Sequence, residues 1–172
     1  MARQFFDDMH GTDGEVRAAY AEIAAWLAQT PAQTLSAKRE EAERLFRRIG
    51  ITFAVYTEGC DTERLIPFDI IPRVLDADEW TFLERGLKQR VTALNMFLAD
   101  VYGAREIVRA GKLTNEHIDT HPAYCAYMQG VTPPGGVYTH IAGIDLVRTG
   151  VNDFYVLEDN CRTPSGVSYM LE

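Results

Sequence analysis

The chain is 172 residues long, 47% hydrophobic and 10% aromatic, which suits a single folded domain over 1–172 with a sizeable core. Its formal net charge of -8 leaves no basic footprint, so nucleic acid and an anionic membrane surface are not expected partners. No apolar run reaches the ~18 residues of a membrane span and no signal-peptide core follows Met1, which makes the cytoplasm the expected compartment.

The first predicted helix runs from Gly14 to Gln29, with an apolar stripe at Val16, Tyr20, Ile23, Trp26 and Leu27, and stops at Thr30-Pro31. A second runs from Leu35 to Ile49, where Glu40, Glu41 and Glu43 precede Arg44, Arg47 and Arg48 on what reads as a solvated face ended by Gly50. Ile51 to Thr57 is a nearly continuous apolar run and a strand candidate. Leu65 to Leu75 contains Pro67 and Pro72, which rules out a helix interior or a central strand and leaves an extended loop or edge. Its Asp69 and Arg73, with nearby Arg64, are candidates for contacting an anion or for closing a salt-bridged loop.

Asp78 is the expected cap of the longest helix, whose stripe Trp80, Leu83, Leu87, Val91 or Leu94, Leu98 and Val101 reads as core and ends at Tyr102-Gly103. Gln89 and Arg90 lie beside that stripe. Shorter helices are expected over Ala104 to Ala110 and Thr114 to Asp119, followed by a stiff turn at Val131 to Gly136. Gly135 and Gly136 lack the Lys-Ser or Lys-Thr partner that would make them a phosphate loop. Cys60, Cys125 and Cys161 are too far apart for a disulfide framework or a zinc motif, and His10, His117, His121 and His140 form no ligand spacing.

The last segment carries the chemistry. Val137 to Val147 and Phe154 to Asp159 are rich in β-branched and aromatic residues, and the turn residues between them predict a hairpin. A loop centred on Val151 and Asn152 sets Asp145 opposite Glu158, with cross-strand Cβ atoms ~5 Å apart, and opposed like charges are destabilising unless something neutralises them. Asn160 shares their face by the period of 2. Two carboxylates and an amide oxygen suit a hard cation such as magnesium, and the planar fork of Arg162 suits phosphate oxygens. The plain alternative is an exposed hairpin with solvated acids, and a one-residue slip in register would undo the grouping.

These residues also carry a resemblance. Gly143 to Arg148 followed by Val156 to Tyr169, with Asp then Glu-x-Asn, resembles the metal-holding strands of the ATP-grasp superfamily and is similar to its circularly permuted members, relatives of glutathionylspermidine-synthetase-like ligases. The likeness extends upstream through Gly50 to Tyr56, Pro67 to Arg73 and Gln89 to Asn95. It implies an ATP-dependent carboxylate–amine ligase that works through an acyl phosphate, with Mg2+ and ATP as cofactors and a small-molecule or peptide carboxylate and an amine as substrates. Asp145, Glu158 and Asn160 would hold the metal, Arg162 would steady the transferring phosphoryl group, and Arg162 and Ser165 would contact phosphate. The resemblance further implies that this chain is the N-terminal portion of such a protein, inactive without the nucleotide-clasping region that follows in the family.

The expected fold class is therefore α+β: a helical N-terminal half on a mostly antiparallel sheet that ends in a metal-binding hairpin, a partial ATP-grasp architecture. Two other readings stand beside it. One is a non-catalytic partner-binding module of the same fold. The other is a hydrolase using Asp145 and Glu158 as an acid–base pair, which Asn160 and Arg162 do not support.

Overall fold

The computed structural model describes residues 5–57, 60–65, 68–164 and 166–167, and for 52–57 and 60–65 it describes the backbone. Helices and antiparallel strand pairs mix as expected, but among the described residues the strands form two separate two-stranded sheets instead of one. The contacts divide into two compact units. One contains the chain up to Asp76 with Arg148–Phe154, the other Ala77–Val147 with the stretch from Tyr155 to Pro164.

In the first unit, a 3-10 turn at Ala18–Tyr20 leads into α1, Ala21–Gln29. Helix was expected from Gly14, but the preceding residues spend their hydrogen bonds on turns. The Asp7 carboxylate takes the Met9 and His10 amides, Asp13 takes the Glu15 amide, and the Arg17 amide donates to the Met9 carbonyl. The Thr30 hydroxyl donates to the Trp26 carbonyl at 2.6 Å and closes α1. Helix α2 spans Ala32–Ile49 and starts earlier than expected, because Pro31 stands at its N-cap, where a missing N–H costs nothing. Gly50 ends it in the left-handed conformation, φ 78°, which glycine adopts without a Cβ clash.

Strand β1, Thr52–Thr57, pairs antiparallel with β2, Cys60–Leu65, in the register Thr52↔Leu65 to Thr57↔Cys60. The second strand was not foreseen, since Asp61, Thr62, Glu63 and Arg64 carry no apolar alternation; proximity to β1 through a short connection overrides weak β-propensity. Tyr20 is buried and accepts the Val74 amide on its hydroxyl at 2.8 Å, while the rings of Phe46 and Phe68 meet at 4.7 Å.

The second unit is built on α3, Ala77–Val101. Because the helix begins at Ala77, Asp78 lies inside its first turn and is not the cap, though its charge still suits the positive end of the helix dipole. Leu83 and Val101 are buried, but Trp80 is 51% exposed, so the apolar stripe is core only in part. Two residues past the end of the helix stands Gly103, where a Cβ would lie 2.6 Å from the Ala99 carbonyl oxygen. Helices α4, Glu106–Arg109, and α5, Asn115–Asp119, are short, and α5 is closed by a reciprocal cap between Thr114 and His117. The Arg105 guanidinium ties this region together through Asn115, Asp119, Tyr124 and Gln129, while Tyr102 stacks on Tyr124 and Tyr138.

Strand β3 spans Gly143–Gly150 and β4 spans Asp153–Asn160. Strand was expected from Val137, yet 137–142 is irregular. The Tyr138 and Thr139 amides donate to the Asn95 side-chain oxygen on α3, at 2.7 and 3.0 Å, and so are not offered to a ladder.

Candidate functional site

The register of the β3–β4 hairpin decides whether the predicted site residues meet, and its two end glycines report it. A Cβ on Gly143 would lie 3.4 Å from the Asn160 Cβ, and one on Gly150 would lie 3.1 Å from the Asp153 Cβ. The strands therefore pair end to end around Val151 and Asn152, which sets Asp145 opposite Glu158 and puts Asn160 on the same face. Asp145 and Glu158 are exposed and Asn160 is half-buried. Among the described residues no cation pairs with either carboxylate.

Past β4 the chain folds back over this face. The built Gly143 Cβ would sit 3.1 Å from Cβ of Pro164, a close approach that any side chain at 143 would crowd. Arg162 lies exposed in that bend. It is within electrostatic reach of Tyr127, whose hydroxyl is pushed up chiefly by its hydrogen bond with Cys125 while Arg162 pulls it down. Ser165 lies outside the described residues, as do the side chains of Cys60 and Arg64. Cys125 and Cys161 are free thiols.

The other face of β4 holds a group the sequence did not pair. Asp159 receives a two-bond fork from Arg90 on α3, Nε to Oδ1 at 2.7 Å and Nη2 to Oδ2 at 2.6 Å. This hydrogen bonding holds the Asp159 carboxyl below its ordinary range and raises Arg90 in turn. The two residues are 69 apart, so no local pattern joins them; the alternation along β4, which turns Asp159 away from Glu158 and Asn160, was the one available signal. Gln89 is exposed on α3, and His140 is exposed in the bend before β3 instead of on a strand. Gly135 and Gly136 border a shallow groove of about 370 Å³ with Val91, Asn95 and Met96. Of the upstream anion candidates, Asp69 caps the Ile71 amide, and Arg73 pairs with Asp8 at 2.9 Å.

Among the described residues no three His, Cys, Asp or Glu side chains gather around a common point. The donor set on the hairpin is smaller, two carboxylates and an amide oxygen. It fits magnesium, which takes one or two carboxylates and completes its shell with phosphate and water.

Residues 72–172, more than half of the chain, match the family described as a circularly permuted ATPgrasp, and the chain belongs to that family. It is 41% identical over 168 residues to an uncharacterized protein of Synechocystis sp., covering 98% of this chain and 35% of that one. An uncharacterized protein of Mycobacterium leprae is 46% identical over 167 residues, 97% of this chain and 29% of the relative. A putative glutamate–cysteine ligase of Frankia alni is 40% identical over 171 residues, 97% of this chain and 19% of the relative. The chain thus spans about a third of the length of the first two. Among the described residues no helix is long and apolar enough to cross a membrane.

Proposed function

We propose that this chain carries the magnesium–ATP ligands of an ATP-dependent carboxylate–amine ligase, and that the complete activity belongs to the longer architecture of its relatives. The observation that carries the reading is the unpaired couple Asp145 and Glu158, opposed on an exposed face beside Asn160, in a chain of the ATP-grasp family. Two like charges in that position are tolerated best when a cation joins them. Bound magnesium would supply charge neutralisation at the phosphate oxygens.

The chain's own residues would then divide the work. Asp145, Glu158 and Asn160 orient the phosphate tail by fixing where its counter-ion sits. Arg162 donates to the oxygens of the phosphoryl group being transferred. In the complete enzyme the carboxylate substrate attacks the terminal phosphorus and releases ADP, giving an acyl phosphate; an amine then displaces phosphate and leaves an amide. No side-chain nucleophile is needed, because positioning and electrostatics supply most of the catalysis of phosphoryl transfer. The name of the Frankia relative, a putative glutamate–cysteine ligase, describes a reaction of this class.

Calorimetric titration with ATP, with and without magnesium, tests the reading when wild type is compared with Glu158→Gln at equal circular dichroism. Magnesium-dependent affinity is expected to fall about tenfold or more in the variant. Equal affinity in both proteins would remove Glu158 from the site; binding only in a chain extended to the length of the relatives would support the reading, and absence of binding in the extended chain as well would favour a non-catalytic partner-binding module.

A further inference from the structure

The run Glu158-Asp159-Asn160 presents a problem of discrimination. Two adjacent acids lie on one strand, and a one-residue slip or a half-turn of β4 would place Asp159 and Cys161 on the face now held by Glu158 and Asn160. The slipped set would exchange an amide oxygen for a thiol, a soft and poor partner for magnesium. Something must tell the two arrangements apart, and the hairpin loop does so weakly, since Val151 and Asn152 are not a strong two-residue turn pair.

Arg90 makes the distinction. Its two parallel bonds to Asp159 engage both carboxylate oxygens, at 2.7 and 2.6 Å, so they fix the plane of the carboxylate as well as its position. A single bond would leave β4 free to rotate about it. The same helix also holds the approach to β3, because Asn95 takes the Tyr138 and Thr139 amides and is itself anchored by its Nδ2 bond to the Val91 carbonyl at 3.1 Å. Helix α3 therefore supplies a rigid reference for both strands. At their base the packing is already tight, with the built Gly143 Cβ 3.4 Å from the Asn160 Cβ and 3.1 Å from the Pro164 Cβ, so a small rotation of β4 moves Asn160 directly. Arg90 is 44% exposed and Asp159 17%, and an ion pair with one partner so open contributes less to folding than a fully buried one. Its value lies in orientation.

We infer that Arg90 is a positioning residue for the magnesium–ATP site: its fork on Asp159 sets the rotation and register of β4 so that Glu158 and Asn160, not Asp159, face Asp145. The inference rests on the function proposed above. It makes Arg90 different from an ordinary surface cation in one measurable way, namely that its loss is felt on the opposite face of the strand.

The test uses the full chain in four forms: wild type, Arg90→Met, Arg90→Lys, and the exchange of Arg90→Asp with Asp159→Arg. Two quantities are read, ATP affinity with and without magnesium by calorimetry, and hydrogen exchange of the β3 and β4 amides without ligand. Arg90→Met is expected to lose about tenfold or more in magnesium-dependent affinity and to exchange faster in β4, with its melting temperature close to that of wild type. Arg90→Lys, which keeps the charge and loses the fork, should fall near Arg90→Met, whereas the exchanged pair should recover most of the affinity. If Arg90→Met does not fold, the exchanged pair and Arg90→Lys carry the comparison. Wild-type affinity in Arg90→Met or Arg90→Lys would overturn the positioning role and leave the proposed function standing. If wild type does not bind ATP with magnesium, the four forms are compared in a chain extended to the length of the relatives, and failure of the extended wild type to bind would overturn both.

Discussion

Two arginine–aspartate pairs flank the β3–β4 hairpin, and they do opposite things. Near the loop, the Arg148 side chain is 1% exposed. It donates to Asp8 at 3.2 Å and to the Gly150 and Val151 carbonyls, and the rings of Phe6 and Phe154 each lie 5.0 Å from its guanidinium carbon. Near the base, Arg90 is 44% exposed and among the described residues pairs with Asp159 alone. The first pair has a desolvated arginine, hydrogen-bonded from all three nitrogens and held by aromatic faces, so removing Asp8 strands a buried charge and removing Arg148 leaves a sheltered carboxylate with one counter-charge less. The second is open to water on its arginine side, with Asp159 17% exposed, so its removal costs the fold less and falls also on geometry. Burial decides which kind of ion pair holds a protein together and which kind aims it.

The largest expected effect breaks the buried pair. Arg148→Met keeps the side-chain length and the aromatic contacts but leaves Asp8 with Arg73 alone, and should cost about 3 kcal/mol, the low end for a broken buried pair because Asp8 is 16% exposed. Urea denaturation measures this, and a loss under about 1 kcal/mol would show that the pair is solvated after all. The open pair gives a smaller and pH-dependent effect. Arg90 holds the Asp159 carboxyl below its unfolded value of about 3.9, so its stabilisation is fully present above that pH and is lost as pH falls through the lower folded value. Arg90→Met should therefore be less stable than wild type at neutral pH by a margin that closes in acid. A margin that is constant with pH would mean that the pair acts through packing. Arg105 depresses Asp119 in the same direction, and because Arg90→Met leaves it intact, its contribution cancels in the comparison.

The same contrast explains what the sequence made visible. Helices α1, α2 and α3 were legible because apolar spacing and the punctuation of Pro31 and Gly50 are local, and the β3–β4 hairpin was legible because alternation and a short loop are local too. Strand β2 was hidden because Asp61, Thr62, Glu63 and Arg64 have no strand signature and pair only because β1 is at hand. The irregular run over 137–142 was read as strand because nothing near it in sequence reveals that Asn95, 43 positions before Tyr138, takes its amides. Arg90 and Asp159 were both in view and unconnected, being 69 residues apart. Side-chain partners chosen by tertiary packing leave no trace in a window of a dozen residues, which is why the Arg90–Asp159 contact had no counterpart in the sequence.

The smallest prediction concerns the face whose two carboxylates pair with no arginine among the described residues. Asp145 and Glu158 lack the counter-charge that Asp159 enjoys, so in magnesium-free buffer Asp145→Asn removes a repulsion and should stabilise the chain by about 0.5 kcal/mol. With magnesium and ATP the sign should reverse, because the wild type gains a ligand that binds the native state and the variant gains less. Thermal melts at low ionic strength, where screening is weakest, read both halves. A variant no more stable than wild type without magnesium would mean that the two carboxylates splay apart into water, and the cation would then have to gather them at a cost in affinity. Reversal of sign on adding magnesium would instead mark the exposed couple as the counterpart of the Arg90–Asp159 pair: one carboxylate neutralised by the fold, the other two left for a ligand to neutralise.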